Sequence, residues 1–415
     1  MEKQKLENEV SVWCIISMAS IPLVMTLGNS MLIPVLPIFE DKVGITSFQS
    51  SMIITSYSLA SIFLIPVAGY LSDKFGRKKV LLPSLIITLI GGLIAGFASW
   101  KSDAPFTWII IGRVLQGIGA AGAFPIILPL VGDLYKDDDE KTSSCLGVIE
   151  TSNTFGKVLS PIIGSLFAAI LWFLPFFSIA FFSLISIGLV FFFIKVPKEK
   201  EEPKELKEFL HATKKIFKRE GKWLFTVFLL GAFLMLILFG ILFFLSDSLE
   251  KAHELKGIKK GLIMAIPLLI LCIASYISGK KIKGSLPLMK KLIMACLIVM
   301  SVSVVFVGYA KERLFMLLVV ISLVGIAIGA LLPTLDAMIT ENIEKEERGT
   351  ISSFYSSARF IGVAFGPPIM SILMNDYLNV TYIVSGIIGI LILLIVWKCI
   401  HSEKKKTNKP QSLKR

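Results

Sequence analysis

The chain has 415 residues, of which 54% are hydrophobic and 18% are charged, whereas about a quarter of the residues in a soluble protein are charged. Mean hydropathy is +0.77, and apolar runs recur from one end to the other, which excludes a single water-soluble core. The net charge of +13 comes from basic residues in the short segments between these runs. This pattern is typical of a membrane protein and argues against nucleic-acid binding.

Twelve runs contain the roughly 20 mainly apolar residues that a membrane-spanning helix needs. The first run is too long for a signal peptide and lacks a small-residue cleavage site. The predicted spans cover residues 12–38, 47–70, 80–99, 105–131, 143–169, 172–194, 223–246, 259–279, 287–309, 313–338, 349–374 and 378–398.

One long interruption divides these spans into six plus six. We therefore predict an all-α membrane protein with an N-terminal six-span bundle (1–194), a cytoplasmic linker (195–222), a C-terminal six-span bundle (223–398) and a basic tail (399–415). Apolar residues recur at helical spacing in the linker and predict an interfacial helix on the inner leaflet. They are Leu206, Phe209, Leu210, Thr213, Ile216 and Phe217.

Lys and Arg residues are distributed unequally between the two sides of the membrane. If the N-terminus is cytoplasmic, the cytoplasmic segments and the adjoining span ends hold 32 of the 43, and the outer segments and their adjoining span ends hold 8. The other three, Arg113, Lys157 and Arg359, lie within spans. Because cytoplasmic loops carry an excess of Lys and Arg, we expect both termini in the cytoplasm of a bacterial plasma (inner) membrane.

The two halves resemble each other. A shift of 206 residues places Gly156-Lys-Val-Leu-Ser-Pro161 on Gly362-Val-Ala-Phe-Gly-Pro367. Internal repeats in a membrane protein favour a transporter whose site lies between the halves, near the middle of the membrane. A duplicated channel subunit is an alternative, although the sequence contains no filter-like loop.

The loop between spans 2 and 3 carries the most specific motif, Gly69-Tyr-Leu-Ser-Asp-Lys-Phe-Gly-Arg-Lys-Lys79. It resembles the signature loop of the major facilitator superfamily, in which the Asp and Arg lock the cytoplasmic ends together when the carrier faces outward. The resemblance implies the fold of that family and a conformational lock. The implied lock residues are Gly69, Asp73, Gly76, Arg77 and Lys78. The equivalent loop of the second half, residues 278–284, lacks the Asp.

Three more stretches resemble the twelve-span drug:proton antiporter branch of that family. Span 1 contains Leu27-Gly28 and Pro34-Val-Leu-Pro37, and span 4 contains the buried-arginine motif that begins at Arg113. Span 5 resembles the antiporter motif, with serines at two glycine positions that are still small enough for close helix packing. The implied packing residues are Gly147, Gly156, Ser160, Pro161 and Gly164.

Charged side chains within spans are costly and become candidates for function. Glu150 lies seven residues before Lys157, on the same helix face and about 10 Å away along the axis. Since Glu150 is the carboxylate we place well inside a span, we predict that it carries the proton. The alternative is a structural role as the partner of a cation on another span.

Six polar residues are candidates for the substrate cavity, namely Asn29, Arg113, Gln116, Asn153, Lys157 and Arg359. For the amides the alternative is hydrogen bonding between helices, and Arg359 has the alternative of pairing with Glu150. Asp247 and Asp336 lie near predicted span ends, where we expect solvated charges. Because span 1 has no acidic residue in its body, an anionic, neutral or zwitterionic amphiphile is as plausible as a cationic drug.

The expected function is alternating-access export of hydrophobic or amphiphilic drug-like molecules in exchange for protons, as in multidrug efflux. Alternatives are export of a specific anionic metabolite or siderophore, lipid flipping and, less favoured, sugar or metabolite symport. The sequence has no nucleophile–base pair, phosphate-binding loop or metal-ligand spacing. We therefore expect no enzymatic activity, no cofactor and no metal, and a monomer whose partners are its substrate, protons and the lipid bilayer.

Overall fold

The computed structural model describes residues 11–135, 139–194, 206–281, 286–343 and 345–400. In these ranges the regular structure is helical and contains no strand, and twelve helical segments are long and apolar enough to cross a membrane. The prediction of an all-α, twelve-span protein is confirmed. Numbered in chain order, the spans are Val12–Val43, Ser47–Phe75, Arg77–Lys101, Pro105–Ala123, Cys145–Ile170, Leu174–Phe193, Thr213–Lys251, Gly257–Lys281, Leu286–Tyr309, Leu314–Asn342, Glu347–Leu373 and Leu378–Cys399.

Several helices differ from these span limits. Three begin before the apolar stretch, at Asp139 for span 5, at Leu206 for span 7 and at Lys345 for span 11. A short helix, Ile127–Leu134, continues span 4. Span 1 consists of the helices Val12–Ser30 and Leu36–Val43 on either side of a 3-10 turn, Ile33–Val35. Prolines lack the N–H that continues a helix, and Pro34 and Pro37 start the last two of these segments.

Two glycines with left-handed backbone angles mark the two ends of the bundle. Gly44, with φ of 70°, ends span 1, and Gly76, with φ of 99°, separates spans 2 and 3. Both angles favour glycine because a Cβ atom would be strained there. The chain alternates between the two ends, which we call the Gly44 end and the Gly76 end.

Close helix contacts repeat from one half to the other. Gly156 and Gly164 of span 5 pack on span 1, and Gly362 and Gly366 of span 11 pack on span 7. The halves meet through spans 2 and 11 and through spans 5 and 8. In the first of these contacts Thr55 donates a hydrogen bond to the Ala364 carbonyl at 2.7 Å. This arrangement agrees with the duplication that the sequence indicates.

The end of the linker is continuous with span 7, in one helix that runs from Leu206 to Lys251. Phe217 contacts Phe228 at 6.0 Å between ring centroids and Phe354 of span 11 at 5.5 Å. Since eleven residues of straight helix rise about 16 Å, the helix must change direction between Phe217 and Phe228. Part of the apolar face of the linker therefore packs on protein, and its position on a lipid leaflet stays a prediction. Residues 195–205 and 401–415 lie outside the described ranges.

Candidate functional site

Four charged side chains come close enough to interact electrostatically between the two halves. Glu150 and Lys157 belong to span 5, Asp336 to span 10 and Arg359 to span 11. We call these four residues the central charge cluster. With two carboxylates and two cations it is formally neutral, and it crosses the interface between the bundles.

The second-half part of the cluster is a loose ion pair. Arg359 Nη1 lies 3.7 Å from Asp336 Oδ1, and the guanidinium stacks 5.6 Å above the Tyr355 ring. The 3.7 Å separation exceeds hydrogen-bonding distance. Within the described ranges, no hydrogen bond involves either charged side chain, and the buried Tyr355 hydroxyl has no partner. Donors and acceptors of this pair therefore stay open to another molecule.

The first-half carboxylate is held more firmly. Glu150 Oε1 accepts a hydrogen bond from Asn153 Nδ2 at 3.2 Å, and Asn153 Oδ1 accepts one from the Thr26 hydroxyl at 2.6 Å. Asn153, one of the cavity candidates, thus links Glu150 on span 5 to span 1. This geometry favours the helix-joining role for the amide.

Lys157 lines a small cavity between the halves. Its neighbours around the cavity include Ser30 and Pro161 of the first half and Phe239 and Leu268 of the second. No hydrogen-bond acceptor contacts the Lys157 amine among the residues that the structure describes. The amine is therefore available to a polar group in an otherwise apolar space.

Arg113 lies in a hydrogen-bond network inside the first bundle, together with two other cavity candidates, one of which, Gln116, has a buried Nε2 without a hydrogen-bond partner. It is fully buried and donates to the carbonyls of Ile53 and Gly28, each at 2.8 Å. It also donates to Gln116 Oε1 at 2.6 Å and to Asn29 Oδ1 at 3.1 Å. Its guanidinium lies 4.5 Å from the centroid of the Tyr57 ring. The arrangement braces spans 1, 2 and 4, and direct contact of these residues with substrate stays a prediction.

The signature loop forms contacts at the Gly76 end. Arg77 pairs with Asp73 and donates to the Ser72 hydroxyl at 2.7 Å. Lys78 donates to the carbonyls of Phe191 and Ile194 at 2.8 and 2.7 Å, which satisfies the end of the span 6 helix. At Gly69 a side chain would come within 3.1 Å of a hydroxyl on span 11. The loop therefore stabilises the first bundle and adjoins the second, while its role as a lock stays a prediction.

The predicted antiporter-motif residues lie mainly at close helix contacts. An added methyl group at Gly164 would overlap the Met31 carbonyl, and one at Gly156 would lie 3.3 Å from Thr26. The Ser160 hydroxyl donates to the Gly156 carbonyl at 2.7 Å. The Pro161 carbonyl adjoins a glycine of span 8 in the second half, whereas an added methyl group at Gly147 would meet nothing within 4 Å.

Polar contacts join the two halves at the Gly44 end. Glu40 of span 1 accepts hydrogen bonds from Ser47 and Ser50 at 2.8 and 2.7 Å and lies 3.4 Å from Lys251 of span 7. Ser246 donates across the same interface to the Ile33 carbonyl at 2.9 Å. The bundles are therefore bonded to each other at this end.

Asp336 is the member of the central charge cluster that sequence analysis did not single out as a site residue. The helix of span 10 continues to Asn342, so Asp336 lies about 9 Å from the end of that helix, and its side chain is 36% exposed. Its carboxylate meets Arg359 of span 11. Glu150 is thus one of two carboxylates inside spans in this cluster, and Arg359 pairs with the other one. A prediction that extended span 10 beyond residue 338 would have placed Asp336 inside the span.

Comparison with known proteins shows which family has this architecture. The sequence profile of the Major Facilitator Superfamily matches residues 18–289 and 288–415. The chain belongs to this superfamily. It is therefore a multi-pass membrane transporter, and transporters are not enzymes. Among the described residues, no group of three His, Cys, Asp or Glu side chains could hold a metal ion.

Two relatives and one solved structure are informative. The chain is 51% identical to the "Bacillibactin exporter" of Bacillus subtilis, over 95% of this chain and 98% of that protein. It is 25% identical to "Multidrug resistance protein 2" of the same organism, over 95% and 97%. A crystal structure of a D-xylose-proton symporter superposes with a TM-score of 0.79 at 14% identity, over 95% and 99% of the two chains. This last likeness concerns the fold alone.

Proposed function

We propose that this transporter exports a siderophore from the bacterial cell in exchange for protons. The observation that carries the proposal is the central charge cluster, whose open polar groups lie between the two halves, where a transporter of this architecture binds its substrate. The substrate class comes from the bacillibactin exporter, which matches nearly the whole chain at 51% identity.

Export of drug-like compounds is the second candidate. It is supported by the multidrug resistance protein, but at half the identity of the bacillibactin exporter. A siderophore binds iron, and hard cations take oxygen ligands, so the substrate presents several polar oxygen groups. Lys157, Arg359, Asp336 and the Tyr355 hydroxyl offer partners to such groups. These open partners favour the siderophore over a purely hydrophobic compound.

The contacts at the Gly44 end support alternating access. The Glu40–Lys251 pair and the Ser246–Ile33 hydrogen bond hold the bundles together there, so these contacts must break when the site opens to that side. Because the basic segments lie at the Gly76 end, we place that end, both termini and the linker in the cytoplasm. We propose a monomer in the plasma membrane, since each chain contains both halves of the site.

Glu150, which the sequence predicts as the proton carrier, is the first candidate for that role. Its carboxylate lies in the central charge cluster with Lys157 and Arg359, and its hydrogen bond from Asn153 needs only an acceptor oxygen. Protonation removes the attraction to both cations but retains that oxygen. The group can therefore change its charge without losing its contact to span 1.

The test uses inverted membrane vesicles from cells that express the protein, with an acidic interior and iron-free bacillibactin outside. We expect accumulation of bacillibactin together with alkalinisation of the interior, and loss of both when a protonophore collapses the gradient. Vesicles without the protein are the control. Accumulation of hydrophobic dyes without bacillibactin would support the drug-efflux candidate instead, and bacillibactin flux that ignores the gradient would refute proton exchange.

A further inference from the structure

We infer that Asp336 is the carboxylate at which a proton and the substrate compete, and that Arg359 is the positioning residue that holds it. The inference rests on the proposed function. It adds the group that couples proton movement to substrate movement. Asp336 lies on span 10 of the second half, with Arg359 at 3.7 Å. Its side chain is 36% exposed, so solvent and substrate can reach it.

Asp336 suits this role better than Glu150 because its acceptor positions are open. Glu150 already accepts a hydrogen bond from Asn153, whereas in the described part of the chain no donor lies within hydrogen-bonding distance of the Asp336 carboxylate. The groups that act on Asp336 are Arg359 and Tyr355 of span 11 and Glu150 and Lys157 of span 5. A proton that binds Asp336 therefore changes the charge of the whole cluster.

The direction of exchange limits the form of the substrate. Protonation of Asp336 removes a negative charge and leaves the cluster more positive, so an anionic substrate would bind better together with the proton. Antiport requires the opposite, namely that proton and substrate exclude each other. A hydroxyl of the substrate meets this condition because its hydrogen bond to ionised Asp336 is charge-assisted and about twice as strong as a hydrogen bond to the neutral acid. A proton on the carboxylate therefore weakens substrate binding.

One cycle at this site then balances as follows. At the cytoplasmic side the Asp336 carboxylic acid releases its proton to water, and the carboxylate accepts a hydrogen bond from the substrate. At the outer side a proton from outside binds the carboxylate, and the substrate leaves with its hydroxyl intact. Iron coordination removes protons from ligand oxygens, so the site selects the iron-free siderophore over its ferric complex.

The experiment measures equilibrium binding of iron-free bacillibactin to the purified full-length protein between pH 5 and pH 8. We expect wild-type affinity to fall at least tenfold towards the acidic end. Asp336→Asn, which cannot ionise, should bind weakly at every pH and lose gradient-driven accumulation at least tenfold in proteoliposomes. Asp376→Asn, the same change at an exposed position, is the matched control and should behave as wild type.

Arg359→Gln tests the positioning role separately. Without this cation the carboxylate holds its proton more tightly, so the midpoint of the pH dependence should move up by about one pH unit or more. A role that is only structural would lower stability without moving the midpoint. If Asp336→Asn folds poorly because it leaves Arg359 unpaired, the double change Asp336→Asn with Arg359→Gln removes both charges and should still abolish the pH dependence.

Several results would overturn the inference. They are a normal pH dependence in Asp336→Asn or in the double variant, and equal affinity of the wild type for the ferric complex and the iron-free siderophore. If wild-type protein neither binds nor moves bacillibactin, the proposed function itself is wrong. If wild-type exchange is intact and Asp336→Asn retains it, only the inference about Asp336 fails.

Discussion

Arg113 and Arg359 are both arginines within membrane spans, yet their surroundings differ completely. Arg113 is fully buried and donates four hydrogen bonds of 2.6–3.1 Å, to two neighbouring spans and to its own. Arg359 is 15% exposed and has one carboxylate at 3.7 Å. A satisfied buried charge stabilises a fold, whereas one with open donors can bind a ligand. Burial within a span therefore does not by itself identify a transport site.

The same contrast extends to the two halves. The first half contains the signature loop, the buried-arginine motif and the antiporter motif, and most of these residues hold helices against one another. The second half has fewer recognisable motifs but contributes Asp336 and Arg359 to the central charge cluster. The recognisable motifs therefore mark positions of close helix packing more than they mark the residues of the proposed transport site.

The largest expected effect comes from a matched pair of substitutions, Arg113→Lys and Arg359→Lys. Lysine cannot reach the four acceptors that the planar guanidinium contacts, so Arg113→Lys should lower the free energy of unfolding by about 3 kcal/mol or more. Arg359→Lys keeps the charge near Asp336 and should cost less than about 1 kcal/mol. Thermal unfolding of the purified proteins measures both. Similar losses of stability in the two variants would contradict the assignment of Arg113 to a structural role and of Arg359 to the transport site.

A second comparison uses equivalent glycines of the two halves. A methyl group at Gly362 would overlap the Ala232 carbonyl and lie 2.6 Å from the Leu236 nitrogen, both backbone atoms. At Gly156 it would meet side chains of Leu23 and Thr26 at 3.2 and 3.3 Å. Gly362→Ala should therefore destabilise by about 1–3 kcal/mol and Gly156→Ala by less. Thermal unfolding of the two variants measures the difference. A larger loss of stability for Gly156→Ala would show that the Leu23 and Thr26 side chains cannot move aside.

Glu150→Gln should have a small effect on stability and a large one on coupling. The glutamine oxygen can still accept the hydrogen bond from Asn153, so we expect a change in unfolding free energy of less than about 1 kcal/mol. If Glu150 rather than Asp336 carries the proton, proton-driven export should stop, because the amide cannot exchange a proton at physiological pH. Internal pH and bacillibactin flux in proteoliposomes measure this. A stable variant with normal proton exchange would remove Glu150 from the mechanism, whereas an unstable one would favour its structural role.

The smallest effect on stability is expected for Asp73→Asn. The Asp73 side chain is 56% exposed, and exposed ion pairs contribute about 0–1 kcal/mol. Insertion should be normal because the Lys and Arg distribution is unchanged. Export should nevertheless slow down if the loop controls the balance between the inward-facing and outward-facing states. Wild-type turnover in a well-expressed variant would limit the loop to topology and packing.

Most of the fold could be predicted from the residues in order. Long apolar runs cross a membrane in whatever tertiary context they occur, so the count of twelve spans and the family followed directly from the chain. The bounds of span 10 were less accurate, because a helix can continue beyond its apolar stretch, and this error hid Asp336. The substrate class was also open, since drug efflux and siderophore export share the same motifs.

The sequence by itself determined the twelve-span membrane architecture and the superfamily, because these depend on hydropathy, charge distribution and local motifs. Only the tertiary structure decided which buried charges face which partners. Arg113 and Arg359 look alike along the chain, and their difference arises from carbonyls and carboxylates on other spans. Hydrogen bonds between distant segments depend on atomic positions after packing, and no local pattern of residues specifies them.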